Sequence, residues 1–434
     1  MKKVSFYTLG CKVNQYDTEA MIEIFEKNNY EVVENNEKAD VYVINTCTVT
    51  NLGDRKSRQF IRRSRKNNPK AVIVVVGCYA QIASEEVMAI EGVNLVLGTN
   101  ERSRIVELVE SINEYDKINY VDNIMDVKEF EELEIDKVKG KTRAFLKIQE
   151  GCNQFCSYCI IPYARGPIRS RKPENIIAEV NRLSENGFKE IVLTGIHIAS
   201  YGKDLKEASL LDIIKDVHKV EGIERIRLSS VEPTLLTYDF IKEIKALPKF
   251  CPHLHISLQS GCDETLKRMN RKYSTEEYRK IVENLRREIP DIAITTDIIV
   301  GFPGETDGEF ECTYNFIKEM AFSQIHVFKY SPRKGTPAAK FENQIRGDIK
   351  SIRSEKMIKL GNELMNSYMN KFIDKKLNVL FEDYYDKKKS TIEGLTTNYI
   401  RVVAEGKEDF IGRIIKTKMR EIKNDIMFGE IIDE

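Results

Sequence analysis

The sequence contains no apolar stretch long enough to cross a bilayer. Its longest run, Ala71–Val76, falls far short of the roughly 20 residues a spanning helix needs. The amino terminus, MKKVSFYTLG, has neither the apolar centre nor the cleavage site of a secretory signal. No charge of one sign is in excess, since 68 Lys and Arg stand against 68 Asp and Glu in 434 residues. Bulk charge therefore gives no reason to expect a polyanion partner, and any nucleic-acid surface has to be local. Internal repeats and low-complexity tracts are missing too. These absences predict a cytoplasmic protein with no membrane partner, in a compartment where thiols stay reduced. A chain of this length can bury a core without disulfides or metal. Its nine cysteines are thus expected to bind metal or do chemistry where they cluster.

Strand and helix patterns alternate over the first hundred residues. VSFYTLGC, DVYVINTC and AVIVVVGC are β-branched runs, each ending in a turn, with helical patterns at Asp17–Asn28 and Asp54–Lys66 between them. The alternation predicts an α/β domain on a parallel sheet. From Glu107 to Asp136 eleven acidic residues accompany two lysines, which reads as a linker or a solvated helix rather than a core element. Alternation resumes with strands expected at Ala144–Gln149, Glu190–Thr194, Ile223–Ser229, His253–Gln259, Ile292–Val300 and Ser323–Tyr330. Six such units suggest a partial (β/α)6 barrel, with chemistry at the carboxyl ends of its strands. A charged helix at about Arg346–Lys371 follows. Apolar or alternating runs at Leu377–Asp383, Asn398–Val403, Phe410–Lys416 and Phe428–Ile432 then predict a small β-barrel of RNA-binding type. The expected domains are residues 1–112, an acidic linker 113–138, then 139–370 and 371–434.

Cys152, Cys156 and Cys159 lie in one tight loop, GCNQFCSYC, directly after a strand. Zinc wants four ligands, and no fourth Cys or His is near. A four-iron cluster on three thiolates keeps one iron free for a substrate. The alternative is a zinc loop with a distant fourth ligand. Cys11, Cys47 and Cys78 are dispersed, and each alone reads as a buried core cysteine. All three, however, sit just past the end of a predicted parallel strand, and such ends share one edge of an α/β sheet. They can converge on a second metal site, with Gly10 and Gly77 letting backbone approach it. Cys251, Cys262 and Cys312 show no comparable pattern and read as structural.

The three-cysteine spacing resembles that of the radical S-adenosylmethionine (radical SAM) superfamily. The flanking text is more specific. IQEGCNQFCSYCIIPYARGPIRSR, LTGIHIASYG, LSSVEP, HISLQSG, TTDIIVGFPGET and YSPRKGTPA, with TLGCKVNQYD, INTCTV and VVGCYAQ, resemble the methylthiotransferases nearly end to end. The terminal segment is similar to that family's TRAM domain. TLGCKVNQYD and TGIHIASYG look closest to the branch acting on threonylcarbamoyladenosine in tRNA. The isopentenyladenosine branch usually carries Gln-Met in place of Lys12-Val13, and a third branch modifies a ribosomal protein aspartate.

The resemblance implies two [4Fe-4S] clusters and S-adenosylmethionine. The cluster on Cys152, Cys156 and Cys159 would bind and cleave S-adenosylmethionine, and the resulting radical would take hydrogen from carbon 2 of adenine. The auxiliary cluster on Cys11, Cys47 and Cys78 would present sulfur, methylated by a second S-adenosylmethionine. Thr194 and Gly195 match the place that meets the methionine amino group. Ser230 and Glu232 would reach ribose hydroxyls. Gly301 and Gly304 would admit the adenine, and Tyr158 would line it. The implied partners are the tRNA anticodon arm, an external electron donor and a sulfur source. For RNA, Asp54 could cap a helix whose Arg55, Arg58, Arg62 and Arg65 form a basic face. A second basic group, Arg165, Arg169, Arg171 and Lys172, lies near the catalytic loop. Against this stand a solvated helix face, a non-catalytic zinc-containing RNA-binding protein and an electron-transfer protein.

Overall fold

The computed structural model describes all residues except 114, 115, 134, 136–141, 207, 433 and 434. Six strands form the first sheet: β1 (Lys2–Thr8), β2 (Tyr30–Val33), β3 (Val41–Thr46), β4 (Val72–Gly77), β5 (Leu95–Leu97) and β6 (Ile118–Tyr120). All run parallel, in the order β2-β1-β3-β4-β5-β6. Apart from Val72, β3 and β4 are buried throughout, as expected of apolar strands covered on both faces. Two helices matter for the site, α1 (Lys12–Lys27) after β1 and α2 (Asn51–Asn67) after β3.

The central domain holds β7 (Arg143–Glu150), a short antiparallel β8 (Arg169–Ser170), β9 (Glu190–Gly195), β10 (Arg225–Leu228), β11 (His253–His255), β12 (Ala293–Val300) and β13 (Gln324–Lys329). Parallel pairing links β7, β9 and β10 on one side and β11, β12 and β13 on the other. The bridges Ile226–Phe250 and Val231–Ile256 join the two groups. The result is an open half-barrel of six parallel strands. Its outward-facing side chains, including Leu146, Leu193, Leu254, Ile294 and Ile298, form one core with the surrounding helices.

Strands β14 (Lys376–Asp386), β15 (Thr391–Thr396), β16 (Arg401–Glu405), β17 (Ile414–Lys423) and β18 (Ile426–Ile431) close a small barrel. This barrel docks at the amino-terminal end of the half-barrel strands. Arg225 donates to the carbonyls of Leu395 (2.9 Å) and Asn378 (2.8 Å), and Tyr399 stacks on His253 with ring centroids 4.2 Å apart. Four strands were expected here; the sequence reading missed β15, whose alternation is interrupted by Gly394.

The acidic stretch is no simple linker. Strand β6 extends the first sheet, and Leu133 and Ile135 enter the central core. Glu131 and Glu132 pair with the buried Arg102 and Arg171. The partners of its charge come from distant sequence, which local composition does not reveal.

Candidate active site between two thiol triads

β1, β3 and β4 are neighbours in the sheet, so the loops leaving them carry Cys11, Cys47 and Cys78 to a common edge. Cys11 is the N-cap of α1, which places it at the helix's positive end. Two asparagines brace the loops. Asn14 Nδ2 donates to the carbonyls of Leu9 (2.7 Å) and Thr46 (3.0 Å), and Asn45 Nδ2 donates to Asn14 O (2.9 Å). A Cβ on Gly10 would stand 2.8 Å from Asn14 Nδ2 at a φ of +120°, so no larger residue fits beside Cys11. Cys78 is buried and accepts a hydrogen bond from Arg165 Nε (3.2 Å).

The second triad follows β7. Its loop is pinned by Ser157, whose N–H donates to Met269 O (3.0 Å) and whose hydroxyl donates to Arg268 O (2.7 Å). Arg271 donates to Cys156 Sγ (3.3 Å) and to Glu232 Oε2 (2.9 Å). The Gln154 N–H lies 3.5 Å from Cys152 Sγ.

All six are free thiols. Burial, then the nearby Cys78, pushes Cys47 up to about 12. Burial likewise raises Cys152 to about 11, and burial with Cys156 beside it raises Cys159 to about 12. Sulfurs held like this become thiolates when a bound metal displaces their protons. A single zinc ion would hold its sulfurs about 3.8 Å apart, from a Zn–S distance near 2.3 Å. Among the described residues, the one set of three ligand atoms lying within 4.8 Å of one another is His255, Asp297 and His326. Neither triad closes to single-ion spacing. Three thiols with N–H donors aimed at their sulfurs fit a larger iron–sulfur cluster.

Beside Cys159 and the loop that follows Cys47 lies a cavity of about 220 Å³. Tyr158, Cys159, Ile160 and Ile161 line one side, Val49 and Thr50, just past Cys47, another, and Gln259, Asp297, Ile299 and Phe328 a third.

Residues 146–317 match the model of the radical SAM superfamily, and residues 3–98 match that of the uncharacterized protein family UPF0004. The threonylcarbamoyladenosine tRNA methylthiotransferase MtaB of Bacillus subtilis is 46% identical over 96% of this chain and 94% of its own. The chain belongs to the radical SAM methylthiotransferases. The MtaB of Aquifex aeolicus is 40% identical over 95% of this chain and 99% of its own. A tRNA-2-methylthio-N(6)-dimethylallyladenosine synthase of Caldicellulosiruptor saccharolyticus is 35% identical over 99% and 93%. The radical SAM methyltransferase TsrM of Kitasatospora setae, solved with cobalamin and a [4Fe-4S] cluster, shares the fold at a TM-score of 0.57 and 15% identity. That match covers 78% of this chain and 77% of TsrM. As a radical SAM methylthiotransferase, the protein is an enzyme that uses S-adenosylmethionine and [4Fe-4S] clusters.

The methylthiotransferase fold sorts the other expected site residues. Thr194 is buried and Gly195 half-buried at the end of β9. Glu232 is buried; His197 and Arg271 outweigh the burial that would raise its carboxyl, and hold it below the usual range. Ser230 is exposed, while the buried hydroxyl of its neighbour Ser229 has no hydrogen-bond partner. Gly301 and Gly304 have positive φ, +71° and +76°, but the open sides of their α-carbons face the side chains of Lys350 and Arg268. Glu305 accepts from the N–H groups of Gly301 and Phe302 and latches that turn.

The basic groups need correcting. Arg165, Arg169 and Arg171 are buried. Arg165 pairs with Asp17 and Glu150, and Arg171 with Glu132 and Glu179. Arg169 packs inside, donating to Pro167 O (3.2 Å). None offers a surface for phosphate. On α2, Arg55 and Arg62 are exposed, whereas Arg58 pairs with Glu86 and Arg65 donates to Gly92 O and Asn94. The α2 cap is Thr50, accepting from Gly53 N–H. Asp54 instead binds Arg333 (2.6 Å), which also reaches Thr48 (2.5 Å) and ties the Cys47 loop to the central domain. Sequence reasoning missed Arg271, Arg333 and Asn14, for which no local pattern stands out.

Proposed function

We propose that this enzyme adds a methylthio group to carbon 2 of N(6)-threonylcarbamoyladenosine at position 37 of tRNA, in the cytoplasm. The observation that carries the reading is the cavity bounded by Cys159 on one side and by the residues after Cys47 on the other. The MtaB relatives support the substrate. In this reading Cys152, Cys156 and Cys159 hold the cluster that binds S-adenosylmethionine, and Cys11, Cys47 and Cys78 hold the auxiliary cluster. When bound, these groups supply the radical and sulfur chemistry, fed by an external electron donor and a sulfur source.

The chain's own residues position and insulate. Arg271 bridges Cys156 and Glu232, so the cluster loop and a candidate ribose-binding carboxylate move together. Thr194, Gly195 and Ser230 stand at neighbouring strand ends for the rest of the cofactor, and Tyr158 walls the cavity. Arg333 holds the Cys47 loop against the central domain. The exposed Arg55 and Arg62 on α2, with the terminal barrel, offer a surface to the anticodon arm.

The test uses reconstituted enzyme and a stem-loop RNA carrying threonylcarbamoyladenosine deuterated at carbon 2. The proposal predicts deuterium in the released 5′-deoxyadenosine and a methylthio product. Methylthiolation of the isopentenyladenosine RNA alone would refute the substrate.

A further inference from the structure

The half-barrel lumen holds polar groups that neither triad uses. Along β11, β12 and β13 alternate residues turn outward into the core, so His255, Thr295, Asp297, Ile299, His326 and Phe328 face inward. His255 Nδ1 lies 2.9 Å from Thr295 Oγ1, which aims Nε2 at Asp297 Oδ2, 3.3 Å away. That Nε2 is shielded from solvent, and its contact with Asp297 is not aligned as a hydrogen bond. His326 pairs with Asp297 in register, and its ring centroid is 5.8 Å from that of His255.

Lys12 enters the same lumen from the β7 side. It is the first residue of α1, and its ammonium rests 5.8 Å from the ring of Phe145, which alternates with the core-facing Ala144 and Leu146 of β7. It has no carboxylate or hydrogen-bond partner among the described residues. Lys147, by contrast, is shared by Asp17 and Glu150. The charged and titratable groups acting on Lys12 are Tyr399, Arg143, Arg227 and Glu190, and Glu190 is engaged by Arg227. A half-buried ammonium and two imidazoles facing one aspartate form a site for an anion that also carries hydrogen-bond donors.

We propose that Lys12, His255, Asp297 and His326 bind the amino-acid substituent on N6 of the target adenosine. Lys12 and His326 meet its carboxylate, and Asp297 accepts from its ureido N–H or hydroxyl. This rests on the substrate assigned above. The pocket adjoins the cavity beside Cys159, because Asp297, Ile299 and Phe328 line that cavity as well. Carbon 2 and N6 of adenine flank N1 on opposite sides. The C2–H and C6–N6 bonds therefore diverge, so a base that shows carbon 2 to the triads directs its N6 substituent sideways, where the lumen adjoins the same cavity. A substrate without the carboxylate leaves Lys12 unpaired, which makes the pocket selective.

The test compares two stem-loop RNAs on the iron-loaded enzyme. One carries threonylcarbamoyladenosine, the other the same group with its carboxylate converted to a carboxamide. Affinity is read by fluorescence anisotropy, and turnover alongside it. Wild type should favour the carboxylate RNA by roughly 10- to 100-fold, the range of a hydrogen bond to a charged group. Lys12→Gln should erase that preference, with iron content confirming that the neighbouring Cys11 site is loaded. His326→Phe, remote from the cysteines, should reduce the preference independently. Equal handling of both RNAs by wild type would overturn the pocket while sparing the substrate. A stoichiometric divalent ion lost in His326→Phe, with the preference intact, would overturn it in favour of a metal site. Modification of neither RNA would overturn the functional reading itself.

Discussion

Replacing Arg165 by Met should loosen the contact between the first sheet and the half-barrel. Arg102, Lys147 and Arg165 face Asp17, Glu150 and Glu131 in a cluster drawn from both domains. Each carboxylate pairs with at least one of these cations, and the cluster is buried, Arg165 and Lys147 completely, with the Glu131 side chain 8% exposed at its edge. Removing one cation leaves a carboxylate charge unbalanced in a dry site, at a cost of about 3–5 kcal/mol. It also removes the donor to Cys78 Sγ. Chemical denaturation of the iron-free protein, followed by fluorescence and by limited proteolysis, should show an earlier transition for Arg165→Met. Adding Glu150→Gln should restore the balance and recover part of the loss, giving a coupling of about 1–3 kcal/mol in the double-mutant cycle. Additive losses, or a single variant as stable as wild type, would refute the idea that charge balance holds this interface.

Cys156→Ala and Cys47→Ala should each lower bound iron by about half and leave an absorbance spectrum of the remaining cluster; loss of all iron from one variant would show that the sites are not independent. Arg55→Ala and Arg62→Ala should weaken tRNA binding and reduce the slope of log K against log salt by about one each, whereas Arg171→Ala should leave the slope unchanged and lower the unfolding midpoint. Acid provides a further check. Despite burial, Arg102, Lys147 and Arg165 lower the Asp17 carboxyl, and Lys147, Arg165 and Arg102 hold Glu150 well below the usual carboxylate range. Their contribution is present above the unfolded carboxylate range and is lost as pH falls through the lower folded values. Asp17→Asn should therefore flatten the acid limb of stability measured from pH 6 to pH 2.

The placing of the six cysteines was legible because residues at strand ends leave a pattern, either three cysteines in one loop or one after each parallel strand. The six-strand half-barrel was legible from alternation, and β11 came out shorter than expected because only His253–His255 pairs regularly. The arginines after the catalytic loop were misread as RNA-facing. Their partners lie up to 148 residues away, as Asp17 does from Arg165, and a one-dimensional charge run cannot show which guanidinium turns inward. The lumen group was hidden for the same reason, since His255, Asp297 and His326 come together only when three strands pair, and Lys12 enters that lumen from a distant helix. A signal was available there: polar residues at alternate positions of otherwise apolar strands.

The central claim is tested most directly by expressing the gene in a host lacking its own methylthiotransferases and analysing nucleosides from bulk tRNA by mass spectrometry. The account predicts a new peak at the mass of methylthio-threonylcarbamoyladenosine, absent with Cys156→Ala and with Cys47→Ala. Unmodified threonylcarbamoyladenosine alongside soluble, iron-loaded enzyme would contradict it.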